Sequence, residues 1–278
     1  MANQQQIQQF QTEGYVVVSG LFSPVEVESY LQHFMAMREQ GAHPGDFSGV
    51  DASSSDPLKR YPRMIHMHRW DQASLDWLID PRIASTMTDL LGLAPYAVQT
   101  MLYFKPPHAR GQALHQDQYY LRVQPGTCIA AWMALDACDE ENGCLTVVPG
   151  SHEWPLLCTT KADLTQSFTD VTVPLPEGTP VRPVIMKPGD VFFFNGQVVH
   201  GSGPNHSDTR FRRALIGHYV TGDAQLVAKY YHPALRMDGS EIALETSEGG
   251  GSCGVWVDQD GVPVIELAGS QDLAGRTE

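Results

Sequence analysis

The chain has 278 residues, of which 42% are hydrophobic, and its 32 acidic and 18 basic residues give a formal net charge of −14 at pH 7. This length permits one large domain, and neither an internal repeat nor a linker-like stretch in the middle suggests a division. The acidic balance, with no Lys/Arg run, argues against nucleic acid as a partner, because phosphate binding requires a basic surface. We expect a small-molecule partner instead.

Targeting signals and cysteine usage bear on the compartment. The N-terminal MANQQQIQQF has neither the basic nor the apolar region of a signal peptide, and no apolar run is long enough to span a membrane. The five cysteines, which include no CxxC pair, are Cys128, Cys138, Cys144, Cys158 and Cys253. An odd number of cysteines without a secretion signal predicts reduced thiols and a cytoplasmic location.

The first third of the chain has helical patterns. In LFSPVEVESYLQHFMAMREQ, Ser23 is a good N-cap, Pro24 suits the first helical position, and Glu26 completes a capping box. Residues 40–62 are rich in Gly, Ser, Asp and Pro and predict a long loop, of the kind that often forms a lid or binding loop. Two more helices are expected near 72–79 and 81–91.

After residue 95 the pattern changes to short strands. AVQTMLYF, CIAAWMAL, CLTVV, VFFF and ALIGHYV are apolar, β-branched or aromatic, and turn signals such as QPG, ENG and KPGD separate them. This pattern is typical of a β-sandwich or barrel. Near the C-terminus, EGGGSCG predicts a flexible stretch, and VWVDQDGVPVIEL predicts a hairpin that turns at Asp260 and Gly261.

A candidate metal site begins in ALHQDQYY, where His115 and Asp117 are two residues apart. On a β-strand such residues point to the same face, so both side chains would be directed at one point. Two histidines and one carboxylate leave open coordination positions on a first-row metal ion. His200, which follows two valines in NGQVVHGSG, is the expected third ligand. The His-x-Asp pair alone is weak evidence, since two exposed polar residues give the same pattern.

A candidate anion site lies in FRRALIGHYV. Alternation along this predicted strand puts Arg212, Ala214, Ile216 and His218 on one face and Arg213 on the other. An inward arginine requires an anion, which a guanidinium binds bidentately when it is a carboxylate. The other arginine is expected at the surface. His218 is expected to be a surface or hydrogen-bonded core residue and not a ligand.

Taken in order, these segments resemble the phytanoyl-CoA dioxygenase family, whose members are Fe(II)- and 2-oxoglutarate-dependent dioxygenases. The resemblance runs from LHQDQYYLRVQPGTCIAAWMALDACDEENGCLTVVPGSHEW through KPGDVFFFNGQVVHGSGPN to FRRALIGHYV and covers roughly residues 8–220. It implies a fold that is mainly β with N-terminal helices, built on a double-stranded β-helix (jelly roll, cupin-like). We expect one domain over residues 1–278, with a mostly helical part (1–95), a β-helix core (96–220) and a C-terminal extension (221–278).

The resemblance also implies site residues and chemistry. The iron ligands would be His115, Asp117 and His200. The contacts with 2-oxoglutarate would be Arg212, Trp132, Met101 and Ser202, with Arg212 preferred to Arg213 for the distal carboxylate. With Fe(II), 2-oxoglutarate and O2, such an enzyme releases succinate and CO2 and hydroxylates an unactivated carbon. Relatives that halogenate lack the carboxylate ligand, so the presence of an aspartate favours hydroxylation.

Alternatives remain at this stage. A cupin-type metal-binding protein or isomerase would not use 2-oxoglutarate, and a non-catalytic binding module would not need three convergent ligands. His66 and His68 in IHMHRWD fit a second metal site poorly, because Asp71 comes one position too late. The loops at 40–62, 104–113 and 119–125 are expected to shape the substrate pocket together with IHMHRWD. The net charge of −14 disfavours polyanionic CoA esters as substrates and favours a small metabolite or natural product.

Overall fold

The structure, a computed structural model, describes residues 1–248 and 251–268, so the predicted flexible stretch EGGGSCG lies partly outside the described residues. None of the helices in these ranges is long and apolar enough to cross a membrane. The α-helices are α1 (Gln4–Glu13), α2 (Pro24–Glu39), α3 (Pro57–Arg60), α4 (Gln72–Leu78), α5 (Pro81–Leu91) and α6 (Gln118–Leu121). Single 3₁₀ turns occur at Met67–Arg69, Ser151–Glu153 and Lys229–Tyr231.

Short strands dominate the rest of the chain. The first nine are β1 (Tyr15–Val18), β2 (Met64–Ile65), β3 (Tyr96–Lys105), β4 (Gln112–His115), β5 (Cys128–Ala134), β6 (Leu145–Val147), β7 (Thr160–Lys161), β8 (Val171–Thr172) and β9 (Arg182–Val184). The others are β10 (Val191–Asn195), β11 (His200–Ser202), β12 (Arg212–Val220), β13 (Leu226–Val227), β14 (Ala234–Leu235), β15 (Glu241–Ile242), β16 (Glu245–Thr246), β17 (Cys253–Gln259) and β18 (Val262–Ala268). The prediction of a mainly β fold with N-terminal helices is confirmed.

Two antiparallel sheets position the site. The larger has the strand order β1-β10-β5-β12-β3-β14-β15, with β2 added beside β3, and the smaller has the order β4-β11-β6-β9. Between the two sheets lies an apolar layer that includes Trp132 and Phe192 from the large sheet and Val147 from the small one. The other face of the large sheet packs against the N-terminal helices through a second core that includes Trp77 and Phe193. The large sheet is therefore covered on both faces.

Local sequence signals account for the helices. The Ser23 backbone N–H donates to the Glu26 carboxylate at 2.8 Å, and the Ser23 hydroxyl accepts from the Glu26 N–H, so the predicted capping box is confirmed. Helices α4 and α5 confirm the two other expected helices, and Asp71 and Asp80 cap them. Helix α1 was not expected, because QQQIQQFQTE has few apolar residues. It is capped by Asn3.

The C-terminal hairpin of β17 and β18 turns at Asp260 and Gly261, as predicted. The prediction of five reduced thiols is wrong, because Cys158 and Cys253 form a disulfide across 95 residues. The two cysteines are brought together where Cys158 N–H donates to the Gly254 carbonyl at 2.9 Å. Because this disulfide is present, the cysteines no longer support the expected cytoplasmic location. The three other cysteines are buried and free.

Candidate active site

Three potential metal ligands converge at one end of the small sheet. His115 ends β4 and His200 begins β11, and these two residues are directly paired across the antiparallel strands. Their ring centroids lie 4.2 Å apart. Asp117 Oδ1 lies 3.4 Å from His115 Nε2 and 3.8 Å from His200 Nε2. Among the residues that the structure describes, this is the one group of three His, Cys, Asp or Glu side chains close enough to hold a metal ion.

The route by which Asp117 reaches the cluster differs from the prediction. Strand β4 ends at His115, and Asp117 has right-handed helical dihedral angles at the start of α6. The same-face argument for a continuous strand is therefore wrong, although the two side chains do converge. The short helix turns the chain immediately after His115, which brings the carboxylate back toward the two imidazoles.

The hydrogen bonds of the two histidines suit metal binding. Nδ1 of His115 donates to the Ala113 carbonyl, and Nδ1 of His200 donates to the Val198 carbonyl, each at 2.9 Å. A carbonyl only accepts, so the proton is on Nδ1 and the Nε2 lone pair is directed toward Asp117. The Gln112 amide donates to His115 Nε2 at 3.2 Å, which agrees with an unprotonated nitrogen there. Two imidazole nitrogens and a carboxylate oxygen match the donor set of a divalent first-row metal ion.

Electrostatics keep the aspartate ionised and His200 neutral. Burial alone would raise the pKa of Asp117, but His200, His115 and His218 outweigh burial and hold that pKa well below its usual range. Burial, followed by the charge of His115, lowers the pKa of His200 to about 4. Both groups are therefore in their ligating forms at neutral pH.

His218 supports the aspartate from β12. Its Nε2 donates to Asp117 Oδ2 at 3.1 Å, so the other carboxylate oxygen, Oδ1, faces the two histidines. The sequence predicted that His218 is a surface or hydrogen-bonded core residue, and the second description is confirmed. Its proximity to Asp117 was not predicted. Alternation along the strand puts His218 on the same face as Arg212, and this pattern could have indicated that His218 lies near the site.

The two adjacent arginines have different environments. Arg213 donates from Nε and Nη2 to the two oxygens of Asp136, at 2.8 and 2.7 Å. Arg212 is only 2% exposed, and its guanidinium lies 5.2 Å from the Trp132 ring. No hydrogen bond or ion pair of its side chain is found within the described ranges, and its Nε is buried without a partner. Burial lowers the pKa of Arg212, and a buried cation without a paired anion is costly.

The remaining predicted cosubstrate contacts lie near Arg212. Trp132 faces the layer between the sheets, and Met101 packs against that layer from β3. Ser202 follows His200 on β11, and its hydroxyl accepts a hydrogen bond from Lys105 Nζ at 2.8 Å. The sequence argument missed Lys105, which is directly opposite Arg212 in the pairing of β3 with β12. Lys105 lies four residues after Met101 on the same strand, so alternation puts both on one face, and this spacing could have indicated it.

Aromatic residues form a second, more open environment beside the cluster. The Tyr120 ring lies 6.2 Å from the His115 ring, and burial and then the charge of Asp117 raise the Tyr120 pKa. The Arg63 guanidinium lies 3.7 Å from the Phe47 ring centroid and donates to the Tyr103 hydroxyl at 3.0 Å. Phe168 also contacts this guanidinium, at 5.5 Å. The loops at 40–62 and 119–125, which were expected to shape the pocket, therefore supply Phe47 and Tyr120.

His66 and His68 belong to this aromatic environment. The His66 ring lies 4.7 Å from the Tyr230 ring, and His68 Nδ1 is 3.0 Å from the Thr100 hydroxyl. Burial is the main cause that lowers their pKa values, to about 3 for His66 and about 4 for His68. Both rings are therefore neutral at pH 7. The segment around Tyr230 was not among the predicted pocket residues.

Comparisons with known proteins agree with this geometry. The phytanoyl-CoA dioxygenase (PhyH) family profile matches residues 10–214. Peroxisomal phytanoyl-CoA dioxygenase of Rattus norvegicus is 26% identical, over 79% of this chain and 68% of the relative. The multifunctional dioxygenase prhA of Penicillium brasilianum is 28% identical, over 74% of this chain and 68% of the relative. The epimerase SnoN, solved with Fe3+, alpha ketoglutarate and nogalamycin RO, superimposes with a TM-score of 0.63 and 23% identity, over 80% of this chain and 84% of SnoN.

Proposed function

The chain belongs to the phytanoyl-CoA dioxygenase family and is a dioxygenase, and we propose that it uses Fe(II), 2-oxoglutarate and O2. In this proposal it hydroxylates an unactivated carbon of a small metabolite or natural product and releases succinate and CO2. We also propose that the two facing sheets correspond to a double-stranded β-helix (jelly roll, cupin-like) and that residues 1–278 belong to one domain. The C-terminal extension adds β14 and β15 to the edge of the large sheet.

The main support for 2-oxoglutarate as the cosubstrate is the environment of Arg212. It is a buried cation without a carboxylate partner in the described residues, whereas the neighbouring Arg213 is fully paired. A buried unpaired guanidinium is costly, and a carboxylate that meets its fork offsets that cost. The distal carboxylate of 2-oxoglutarate is such a partner. Trp132, Met101 and Ser202 would line the same end of the site.

The metal assignment uses the three convergent ligands. His115, Asp117 and His200 would hold Fe(II), and three protein ligands would leave part of the ion open to small molecules. When bound, iron and 2-oxoglutarate supply oxidative decarboxylation coupled to oxidation of a carbon–hydrogen bond. The protein orients the ligands through the carbonyl contacts of Nδ1 and through His218.

A cupin-type metal-binding protein or isomerase that does not use 2-oxoglutarate is the alternative. It would have the same three ligands but no need for a buried arginine without an anion. The test is succinate formation from 2-oxoglutarate in the presence of Fe(II) and O2, with Asp117→Ala as the inactive control. Iron-dependent succinate supports the proposal. Unchanged 2-oxoglutarate in a protein with full iron occupancy contradicts it.

The reaction type is tested on the product. Asp117 fills the position that a halide would need, so we propose hydroxylation and not halogenation. The solved structures that share this fold include an alpha ketoglutarate dependent epimerase and carbocyclase, so a product other than an alcohol is an outcome to be tested. Once a substrate is found, mass spectrometry in the presence of chloride separates these outcomes. A gain of one oxygen agrees with the proposal, and a chlorinated or isomeric product overturns the hydroxylase assignment.

A further inference from the structure

A second buried cation lies beside Arg212. Lys105 is only 2% exposed and is the direct partner of Arg212 across β3 and β12. Its Nζ donates to the Gly143 carbonyl at 3.0 Å, to the Ser202 hydroxyl at 2.8 Å and to the Gly203 carbonyl at 2.6 Å. A lysine ammonium has three N–H groups, so these neutral acceptors use all of them. No carboxylate pairs with Lys105 in the described part of the chain.

The proton of the Ser202 hydroxyl follows from these contacts. Ser202 Oγ accepts from Lys105 Nζ and from the Gln112 backbone N–H, at 2.8 and 3.3 Å. A hydroxyl oxygen has two lone pairs, so both are occupied. The single O–H hydrogen is left as a donor, and none of the described residues accepts it. The hydroxyl is therefore prepared to donate to an external acceptor.

We infer that Lys105 is a positioning residue, which holds the Ser202 hydroxyl as a donor toward the distal carboxylate of a dicarboxylate cosubstrate bound by Arg212. The inference rests on the proposed function. Ser202 and Arg212 would then share one carboxylate, the first with a neutral donor and the second with a charged fork.

The surroundings of Lys105 disfavour its charged form. Burial, followed by the positive charge of Arg212, lowers the pKa of Lys105 well below its ordinary value. A bound carboxylate beside these two groups would stabilise both charges, because its attraction is weakly screened in a buried site. A solely structural lysine would only tie the Gly143 turn to the Gly203 segment. The two roles differ in which ligands lose affinity when the lysine is changed.

The experiment compares two keto acids by calorimetry on the Zn(II)-loaded protein, which binds without turnover. 2-Oxoglutarate has the distal carboxylate, and 2-oxobutanoate has the same keto acid group without it. We expect Lys105→Met to weaken 2-oxoglutarate about tenfold or more and 2-oxobutanoate by less than about twofold, since only the former loses a charge-assisted contact. Lys161→Met, at an exposed position, is the matched control and should bind both ligands as the unaltered protein does.

A double-mutant cycle shows whether Lys105 acts through Ser202. Ser202→Ala should weaken 2-oxoglutarate selectively, and Ser202→Thr, which keeps the hydroxyl, should restore most of the affinity. In the double variant, Ser202→Ala should add little to Lys105→Met, because residues that act as one unit are not additive. Equal losses for both keto acids, or fully additive losses, would overturn the inference in favour of a structural role.

Two outcomes separate this inference from the proposed function. If Lys105→Met does not fold, the inference is tested with the two Ser202 variants only. Wild-type affinity of Ser202→Ala for 2-oxoglutarate then overturns the inference. If the unaltered Zn(II) protein binds no 2-oxoglutarate, the proposed function falls and the inference falls with it. If the unaltered protein binds 2-oxoglutarate and the variants lose affinity for it selectively, both the inference and the proposed function are supported.

Discussion

Two environments adjoin the three-ligand cluster, and they differ in how they are built. The one around Arg212 and Lys105 consists of residues on regular strands and is almost closed, with both side chains 2% exposed. The one around Tyr120 and Tyr230 consists of loops and single helical turns, and these rings are 39% and 49% exposed. Strands fix side chains rigidly, whereas loops vary without loss of the core. Under the proposed function, the strand side would serve the cosubstrate and the loop side the substrate.

The largest effect is expected when a ligand is removed from the cluster that both environments share. His200→Ala should abolish bound iron and reduce succinate formation to background, because two ligands hold the ion far less tightly than three. Iron content by mass spectrometry and succinate by chromatography are the measurements. His206→Ala, at an exposed position, is the matched control. Full iron occupancy in His200→Ala would show that the cluster is not the metal site.

The next effect separates the two arginines on the strand side. Arg212→Met should raise the Kd for 2-oxoglutarate about 100-fold, because cutting a buried charge pair costs about 2 to 5 kcal/mol. Arg213→Met should change that Kd by less than about twofold, yet lower the melting temperature, because Asp136 loses its bidentate partner. The reverse pattern would mean that Arg213 binds the cosubstrate.

A smaller effect concerns the orientation of the aspartate. His218→Leu should weaken iron binding about 10- to 100-fold, the usual cost of losing a hydrogen bond behind a metal ligand. The Asp117 carboxylate would then rotate more freely, since Oδ2 loses its donor at 3.1 Å. Metal titration with a chromophoric competitor measures the change. Unaltered iron affinity with a lowered melting temperature would assign His218 a structural role only.

A pH effect is expected from the buried histidines of the loop side, in addition to that of His200 in the cluster. The folded-state pKa values of His66 and His68, about 3 and about 4, lie below the ordinary 6.5, so the unfolded chain binds more protons between these limits. The free energy of unfolding should therefore fall as the pH falls from 7 to 5, by about 2 kcal/mol per histidine. Urea unfolding of the metal-free protein measures it.

The control for the pH effect replaces both histidines. His66 has a φ of 55°, a left-handed backbone that asparagine tolerates, so His66→Asn is combined with His68→Gln. The double variant should lose much of the pH dependence. A dependence equal to that of the unaltered protein would show that other groups account for the acid sensitivity.

The smallest expected effect tests whether the strand side and the loop side are separate environments. Tyr230→Ala should leave the Kd for 2-oxoglutarate within about twofold, because the rings that Tyr230 contacts among the described residues, His66 and Tyr231, belong to the loop side. Calorimetry on the Zn(II) protein is the measurement. A loss as large as that of Arg212→Met would mean that the two environments are not separate.

The sequence predicted what local patterns encode. The capping box at Ser23 and the hairpin turn at Asp260 depend on residues within a few positions, and both were found. The sequence also predicted that His115, Asp117 and His200 come together, because their types and order match a metal-binding pattern, and the structure brings them together. Their geometry was not predicted, because the turn into α6 after His115 depends on tertiary packing.

Long-range contacts account for what the sequence did not reveal. Lys105 bonds to groups 38, 97 and 98 residues away, and nothing in its own neighbourhood indicates them. The disulfide joins Cys158 to Cys253 across 95 residues, and it was excluded by an argument about compartment and not about distance. Both features follow from how the strands pair, which periodicity does not specify.

The most direct test of the central claim follows the oxygen atoms. The protein is incubated with Fe(II), 2-oxoglutarate and isotopically labelled dioxygen, and the succinate is analysed by mass spectrometry. The account predicts succinate with one labelled oxygen, formed by the unaltered protein and not by Asp117→Ala. Unlabelled succinate, or 2-oxoglutarate that remains intact beside bound iron, would contradict it.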